Sequence, residues 1–262
     1  MSEEEYRLSV EELALALSMK GQPIMAHNLL DYHLGPMEKE DVEARLYTAG
    51  HSLLARGWLT IDDEGETQIR DRLNDVVSIL HESDFSIRFS RASKFEESIL
   101  TYHFNGKKKL EHFIDMGVVH HIRRINGMEA VIEGAFTFFE ADRLKKFSSP
   151  SFIVPYKLFE YLCGVEDINT IRKELEKAGI QENVIDYLAE DLAQSIYRGA
   201  IIRIEYPGDE IPQSSQGIFT LESMNRLWLL RPREEDNGLS VEVFPGTKKA
   251  IHDEVIRLVH MA

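Results

Sequence analysis

"HSLLARGWLTIDDEG", from His51 to Gly65, joins an apolar helical end to a short β-prone run. "AQSIYRGAIIRIEYPG", from Ala193 to Gly208, does the same much later in the chain. Each turns on an Arg-Gly pair, Arg56-Gly57 and Arg198-Gly199. Glycine closes a helix well because it adopts the left-handed conformation there without a Cβ penalty. The two stretches pose the question that decides the fold: shared helix-to-strand grammar, a DNA-binding wing, or one plan used twice.

Upstream of the first stretch, "SVEE" is a capping box with Ser9 as N-cap and Glu12 at N3. Val10, Leu13 and Leu17 follow at helical spacing. Gly21 stops that helix, Pro23 begins a short second one, and Gly35-Pro36 breaks the chain again. A third helix, from about Lys39 to Ala55, carries Val42, Leu46, Ala49, Leu53 and Leu54 on one side, and "WLTI" is a strand. After "DDEG", "TQIRDRLNDVVSILHES" reads as a fourth helix. From Phe85 the period falls to two, and Asn105-Gly106 marks a hairpin between "SILTYHF" and "KLEHFIDM". "VVHHIRRI" is a further strand, and "MEAVIEGAFTFFEADRLKKF" reads mostly as a helix, with "GAFTFF" open to a strand reading.

"SSPSF" is turn chemistry and divides the chain into residues 1–147 and 151–262. The second part starts with the helix "PYKLFEYLCG", then Asp167 caps "INTIRKELEKAG". "QENVIDYLAEDLAQSIYRG" reads as one amphipathic helix closed by Gly199. "AIIRIEY", "GIFTLE", "RLWLLRP" and "LSVEVFP" are strands, "PGDEIPQSSQG" a flexible loop, and "KKAIHDEVIRLVHM" a last helix. The spacing therefore predicts an α+β fold of two quasi-repeated halves, each with three helices, antiparallel strands and a closing helix. Residue echoes accompany it. Leu13 and Leu17 match Leu158 and Leu162, while Val42, Leu46, Leu54, Arg56, Gly57 and Leu59 fall on Val184, Leu188, Ile196, Arg198, Gly199 and Ile201 at one offset. The helix from Thr67 to Ser83 has no counterpart.

Composition narrows the function. Hydrophobic residues make 43% and charged residues 29% of the 262 positions, as in a folded chain with a sizeable core. No run approaches the ~18 apolar residues that span a bilayer, and the acidic start "MSEEEYRLSVEE" is unlike a signal peptide, so a cytoplasmic protein is expected. A net charge of −15 works against binding a polyanion and favours apolar or basic protein partners. The single Cys163, inside "KLFEYLCG", reads as a small buried hydrophobe.

Helix-helix-helix followed by "ARGWL" and an acidic turn is similar to the winged-helix start of many bacterial regulators. Its candidate recognition helix, however, carries Glu38, Glu40, Asp41 and Glu43 where phosphate and base donors are needed. A helical segment also follows "DDEG" where a returning wing strand belongs. The ten histidines include His103, His112, His120 and His121, which read as half-exposed strand residues, the last two on opposite faces. Neither HExxH, a Walker loop, Gly-x-Ser-x-Gly nor Gly-x-Gly-x-x-Gly occurs, so no catalytic, cofactor or metal residue is assigned and no enzyme is expected.

The whole-chain pattern resembles the EspG-type chaperones of the ESX (type VII) secretion pathway. The features that carry it are "LSVEELALALSMKGQP", the repeated Arg-Gly exits, and "RLWLLRP" before a final helix. The resemblance implies a non-enzymatic chaperone or adaptor for a secreted helical protein; the alternative is a winged-helix transcriptional regulator. Two exposed segments are the expected partner-binding positions. One is the basic tip Asn105, Gly106, Lys107, Lys108 and Lys109; the other runs over Ile211, Gln213, Ser214, Ser215 and Gln216.

Overall fold

The computed structural model describes residues 5–144, 147, 149–206, 212–235 and 238–261. Its contacts divide into two compact units, Met1–Ser86 with Leu100–Gly127, and Ile87–Ile99 with Met128–Ala262.

The first unit begins with a strand that periodicity hides, β1 (Glu5–Ser9), and runs straight into α1 (Val10–Met19). The Ser9 capping box forms as read: Ser9 Oγ accepts from the Glu12 N–H at 3.1 Å, and the Glu12 carboxylate accepts from the Ser9 N–H at 2.9 Å. Then come α2 (Pro23–Leu34), α3 (Lys39–Ala55), the hairpin β2 (Leu59–Ile61) and β3 (Thr67–Ile69), and α4 (Asp71–His81). After β4 (Phe85–Ala92), the strands β5 (Glu97–Asn105), β6 (Lys108–Asp115) and β7 (Val119–Arg124) follow as an antiparallel run. β1 closes that run by pairing with β7. One face of this sheet presents Tyr6, Leu8, Leu110 and Ile122 to Leu13, Leu30 and Val76 of the helices, all buried. Burying a side chain of this size contributes about 1.5–3 kcal/mol each, so the helices are held by the sheet face more than by propensity.

The second unit contains most of β4, then α5 (Glu129–Phe138), β8 (Phe152–Pro155), α6 (Tyr156–Leu162), α7 (Ile168–Lys177) and α8 (Glu182–Ala193). Strands β9 (Tyr197–Glu205), β10 (Gln213–Glu222), β11 (Leu227–Glu235) and β12 (Gly238–Pro245) lead to α9 (Lys248–Val259). Strand order here is β4-β9-β10-β11-β12-β8. Leu221, Trp228, Leu230 and Val243 pack under Leu162, Ile171 and Leu188 of α6, α7 and α8. The other side is covered by α9, which contacts β9, β10 and α5. The fold is α+β, as the sequence predicts.

The succession strand, three helices, four strands, helix occurs twice, as β1 to α5 and β8 to α9, with β2-β3-α4 inserted in the first. In each, the leading strand pairs with the last of the four. The residue echoes built on the Arg-Gly pairs do not follow that succession. Gly57 has φ +71° at the end of α3, as a left-handed helix end should. Arg198-Gly199 instead lies inside β9, because α8 already stops at Ala193. What needs glycine there is crowding: a Cβ at Gly199 would overlap the Ser90 carbonyl oxygen and stand 2.9 Å from the Arg91 Cα.

Two further local expectations change, and one open alternative is resolved. Thr67–Ile69 is the returning strand β3, paired Leu59 with Ile69, so the wing is complete and α4 starts only at Asp71. Ile69 suits both a two-residue and a helical period, which is why the segment read as helix. Gln213–Gln216 is not loop but the bulged start of β10, paired with Arg203 to Glu205 of β9; Ile211 lies outside the described residues. "GAFTFF" lies at the end of α5, so the helix reading of that segment holds over its strand alternative.

Candidate partner-binding site

The basic tip is the β5–β6 hairpin, with Asn105 opposite Lys108 and Gly106 at φ +53°. Its own fold uses the first two residues. Asn105 Nδ2 donates to the Glu82 carbonyl at 2.9 Å, and the Gly106 N–H donates to the Asp84 carboxylate at 2.8 Å. Lys107 and Lys108 are exposed, but they are not equivalent. Lys108 Nζ lies 3.3 Å from Asp75, which also takes Arg124. The hydrogen bond from Arg124, with Lys108 adding to it, holds the Asp75 carboxyl below its ordinary range. Lys109 is half-buried, its ammonium 5.9 Å from the Phe104 ring centre. Lys107 is thus an exposed lysine of the tip with no acid paired to it among the described residues.

The second expected segment, Gln213 to Gln216, belongs to the other unit. Its four side chains are exposed, and Gln216 Oε1 accepts from Arg257 Nη1 at 3.1 Å. A strand presents side chains on a fixed frame, which suits recognition as well as a loop does.

A larger concavity was not legible in the sequence. A cleft of about 850 Å³ opens between β1, α1 and α3, lined by Arg7, Glu11, Met37, Arg45 and Arg56 among others. At its end Glu12, 5% exposed, is saturated. It caps Ser9, accepts from Ser52 Oγ at 2.7 Å and from Arg56 Nη1 at 2.8 Å. Arg56 also lies 3.7 Å over the Trp58 ring and donates to the Arg7 carbonyl at 2.7 Å. Glu38 at the N-cap of α3 and Glu40, Asp41 and Glu43 in its first turns are exposed, so the helix that would enter a DNA groove presents carboxylates.

The strand histidines differ from expectation. His120 and His121 do point to opposite faces, but His120 is fully buried and His103 is 7% exposed. Ser86 Oγ and His103 Nδ1 are 2.8 Å apart, His103 Nε2 and His112 Nδ1 3.3 Å, and His112 Nε2 and His120 Nδ1 2.8 Å. The ring of His33 on α2 meets His120 edge-on at 5.4 Å. Burial, with His33 and His121 nearby, pushes His120 down to about 4. Among the described residues, no cluster of three or more His, Cys, Asp or Glu is arranged to hold a metal ion. Cys163 is half-buried, with its thiol pushed up by burial. No helix among the described residues is long and apolar enough to cross a membrane.

Comparison with solved structures places the fold. A structure described as the Mycobacterium tuberculosis type VII secretion system chaperone EspG5 in complex with a PE25-PPE41 dimer superposes with TM-score 0.71. The match covers 98% of this chain and 96% of that one at 9% identity. The architecture is therefore the EspG-like one that the sequence pattern resembles. None of the curated proteins matches the sequence. A family model described as "Uncharacterised protein YfjC" matches residues 5–254, and by that match the chain belongs to the YfjC family.

Proposed function

We propose that the chain is a non-enzymatic protein-binding module, a chaperone or adaptor that holds a secreted helical protein in the cytoplasm. The observation that carries this reading is the full-length likeness to a chaperone whose described structure is a complex with a protein dimer. The −15 net charge supports it, as does the Glu12 carboxylate in the β1–α1–α3 cleft, which is taken up by Ser9, Ser52 and Arg56. The partner surfaces are the tip at Asn105, Lys107 and Lys108 and the exposed start of β10 at Gln213 to Gln216. Residues 1–147 and 151–262 are read as two diverged copies of one succession; superposing β1 to α5 on β8 to α9, omitting β2 to α4, tests that.

Affinity capture from native cytoplasm, followed by mass spectrometry, tests the function. Recovery of a small helical secreted protein, released in stoichiometric amount, is the expected result. The second reading, a winged-helix regulator, is favoured by one observation, the complete β2–β3 hairpin behind α3. Titration with random duplex DNA separates the two. Micromolar binding that weakens steeply with salt replaces the chaperone reading, because phosphate neutralisation is its signature.

A further inference from the structure

In the second unit, α6 buries Phe159 and Leu162 against the sheet and ends at Cys163-Gly164. Beside it a groove of about 460 Å³ is left open. Its lining includes Leu221, Leu230 and Val241 from three strands, each at most 5% exposed, with Tyr156 and Phe159 from α6. Phe219 stands at the groove 51% exposed, although its register partner Leu230 is buried. The volume falls within the range of small-molecule sites, and so does the composition, mostly apolar with few polar groups.

One cation faces this groove. Leu221 pairs with Arg198 across β10 and β9, which puts Arg198 on the face that carries Leu221 and Phe219. Its Nη2 donates to the Cys163 carbonyl at 2.6 Å and lies 3.4 Å from Ser195 Oγ. No carboxylate pairs with it among the described residues, whereas Arg203, Arg226 and Arg231 of the same unit each pair with an acid. Arg198 is exposed, so its charge is open to an anion laid along the groove, and a carboxylate is the group a guanidinium pairs best.

We propose that this groove binds a small molecule with an unbranched apolar chain and one carboxylate, a medium-chain fatty acid, with the chain on Leu221, Leu230 and Val241 and the carboxylate at Arg198. The dimensions decide against a helix. A volume of about 460 Å³ suits a small ligand, whereas a partner helix about 10 Å in diameter needs far more room along its length. Glu160, also lining the groove and exposed, opposes the ligand's charge, so its removal has the opposite sign to removal of Arg198.

Decanoate and decanol are the probes, measured by calorimetry and by protection of Cys163, the single cysteine and a lining residue, from N-ethylmaleimide. Decanoate should bind saturably, at least tenfold tighter than decanol, and slow the labelling of Cys163. Arg198→Gln should weaken decanoate about tenfold and leave decanol unchanged. Glu160→Gln should tighten decanoate severalfold, and Phe219→Ala should weaken both probes. Equal affinity of the wild-type protein for decanoate and decanol overturns the proposal, as does decanoate binding that leaves Cys163 labelling unchanged. The wild-type and Glu160→Gln measurements stand even if Arg198→Gln fails to fold.

Discussion

Arg56 and Glu12 together occupy the free edge of β1 at Arg7 and Ser9. The guanidinium lies 2.8 Å from the Glu12 carboxylate while donating to the Arg7 carbonyl, and the same carboxylate accepts from the Ser9 N–H. Arg7 and Ser9 share one side of the strand, opposite to Tyr6 and Leu8, whose backbone faces β7. An ion pair of two side chains thus stands where the next strand's peptide would stand. With the Arg7 carbonyl and the Ser9 N–H occupied, this end of the edge is a poorer template for another chain.

From this follows the first prediction. Arg56→Ala leaves Glu12 buried with two neutral donors and frees the Arg7 carbonyl. Urea unfolding should show a loss of about 2 kcal/mol, the usual scale for an orphaned buried charge softened by its remaining hydrogen bonds. Sedimentation should also show concentration-dependent self-association through the opened edge. A variant that stays monomeric and keeps the wild-type urea midpoint removes the edge-closing role.

The two Arg-Gly pairs give a second prediction, because their glycines are needed for different reasons. Gly57→Ala places an ordinary residue at φ +71° with no atom within 4 Å of its Cβ. That costs about 1–2 kcal/mol of conformational strain and nothing steric. Gly199→Ala drives a Cβ into the backbone of Ser90, which a close-packed sheet cannot yield without losing pairing. Its loss should exceed that of Gly57→Ala by at least about 2 kcal/mol, or abolish soluble expression. Equal losses would mean that Gly199 is not pinned by β4.

These two glycines also show where reading the sequence stops. The Ser9 box, the Asp167 cap and the Asn105-Gly106 hairpin are local, settled by residues within three or four positions of each other. β1 is not local: "EYRLS" becomes a strand only because β7 supplies a partner from the far end of the unit. The histidine alternation was legible, but the depth of His120 was not, since it depends on α2 lying over β7 and bringing His33 to it. The Glu12–Arg56 contact and the groove at Arg198 depend likewise on pairs distant in the chain, and neither has a spacing that periodicity can register. Gly199 was misread because a glycine held by a neighbouring backbone looks in sequence like one that ends a helix.

Acid and alkali should act on different units. His120 is held near 4, below its ordinary 6.5, so its neutral form is the one the fold accommodates. The unfolded chain binds the extra proton between those values, and stability is lost as pH falls from about 6.5 through 4. The full loss is up to about 3 kcal/mol, and His120→Asn should flatten that limb of the curve. Glu222 shows the opposite sign. Burial pushes it up to about 7 despite Arg91, with Glu140 adding to the shift, so the folded state holds the proton longer. Stability then falls as pH rises from about 4.5 through 7, and Glu222→Gln should gain on the order of 1 kcal/mol at pH 8 and nothing at pH 4. Thermal unfolding from pH 4 to 8 reads both; curves of the two variants parallel to wild type would show neither group titrates with folding.

Charge reversal at the tip tests the partner surface without touching the core. Lys107→Glu with Lys108→Glu breaks only the exposed Lys108–Asp75 pair, which leaves Asp75 with Arg124. Stability should change by no more than about 0.5 kcal/mol. Capture of an acidic partner should weaken by about 1 kcal/mol, with Lys107 alone accounting for most of it. Undiminished capture by the double variant would show the tip to be an ordinary solvated turn.

The start of β10 needs a different variant, because its residues are a strand. Deleting Gln213 to Gln216 would remove the partners of Arg203, Ile204 and Glu205 in β9 and the Gln216 contact to Arg257 on α9. Several ladder bonds at about 0.5–1.5 kcal/mol each are at stake, so the deletion should lower the urea midpoint clearly, by about 2 kcal/mol or more. Replacing only side chains, Gln213→Ala with Ser214→Ala and Ser215→Ala, keeps the ladder and should leave the midpoint within about 0.5 kcal/mol. Any loss of capture in that triple variant then belongs to docking and not to unfolding. A deletion variant that unfolds at the wild-type midpoint would show that these residues contribute no pairing, and the segment would be the free loop that its composition first implied.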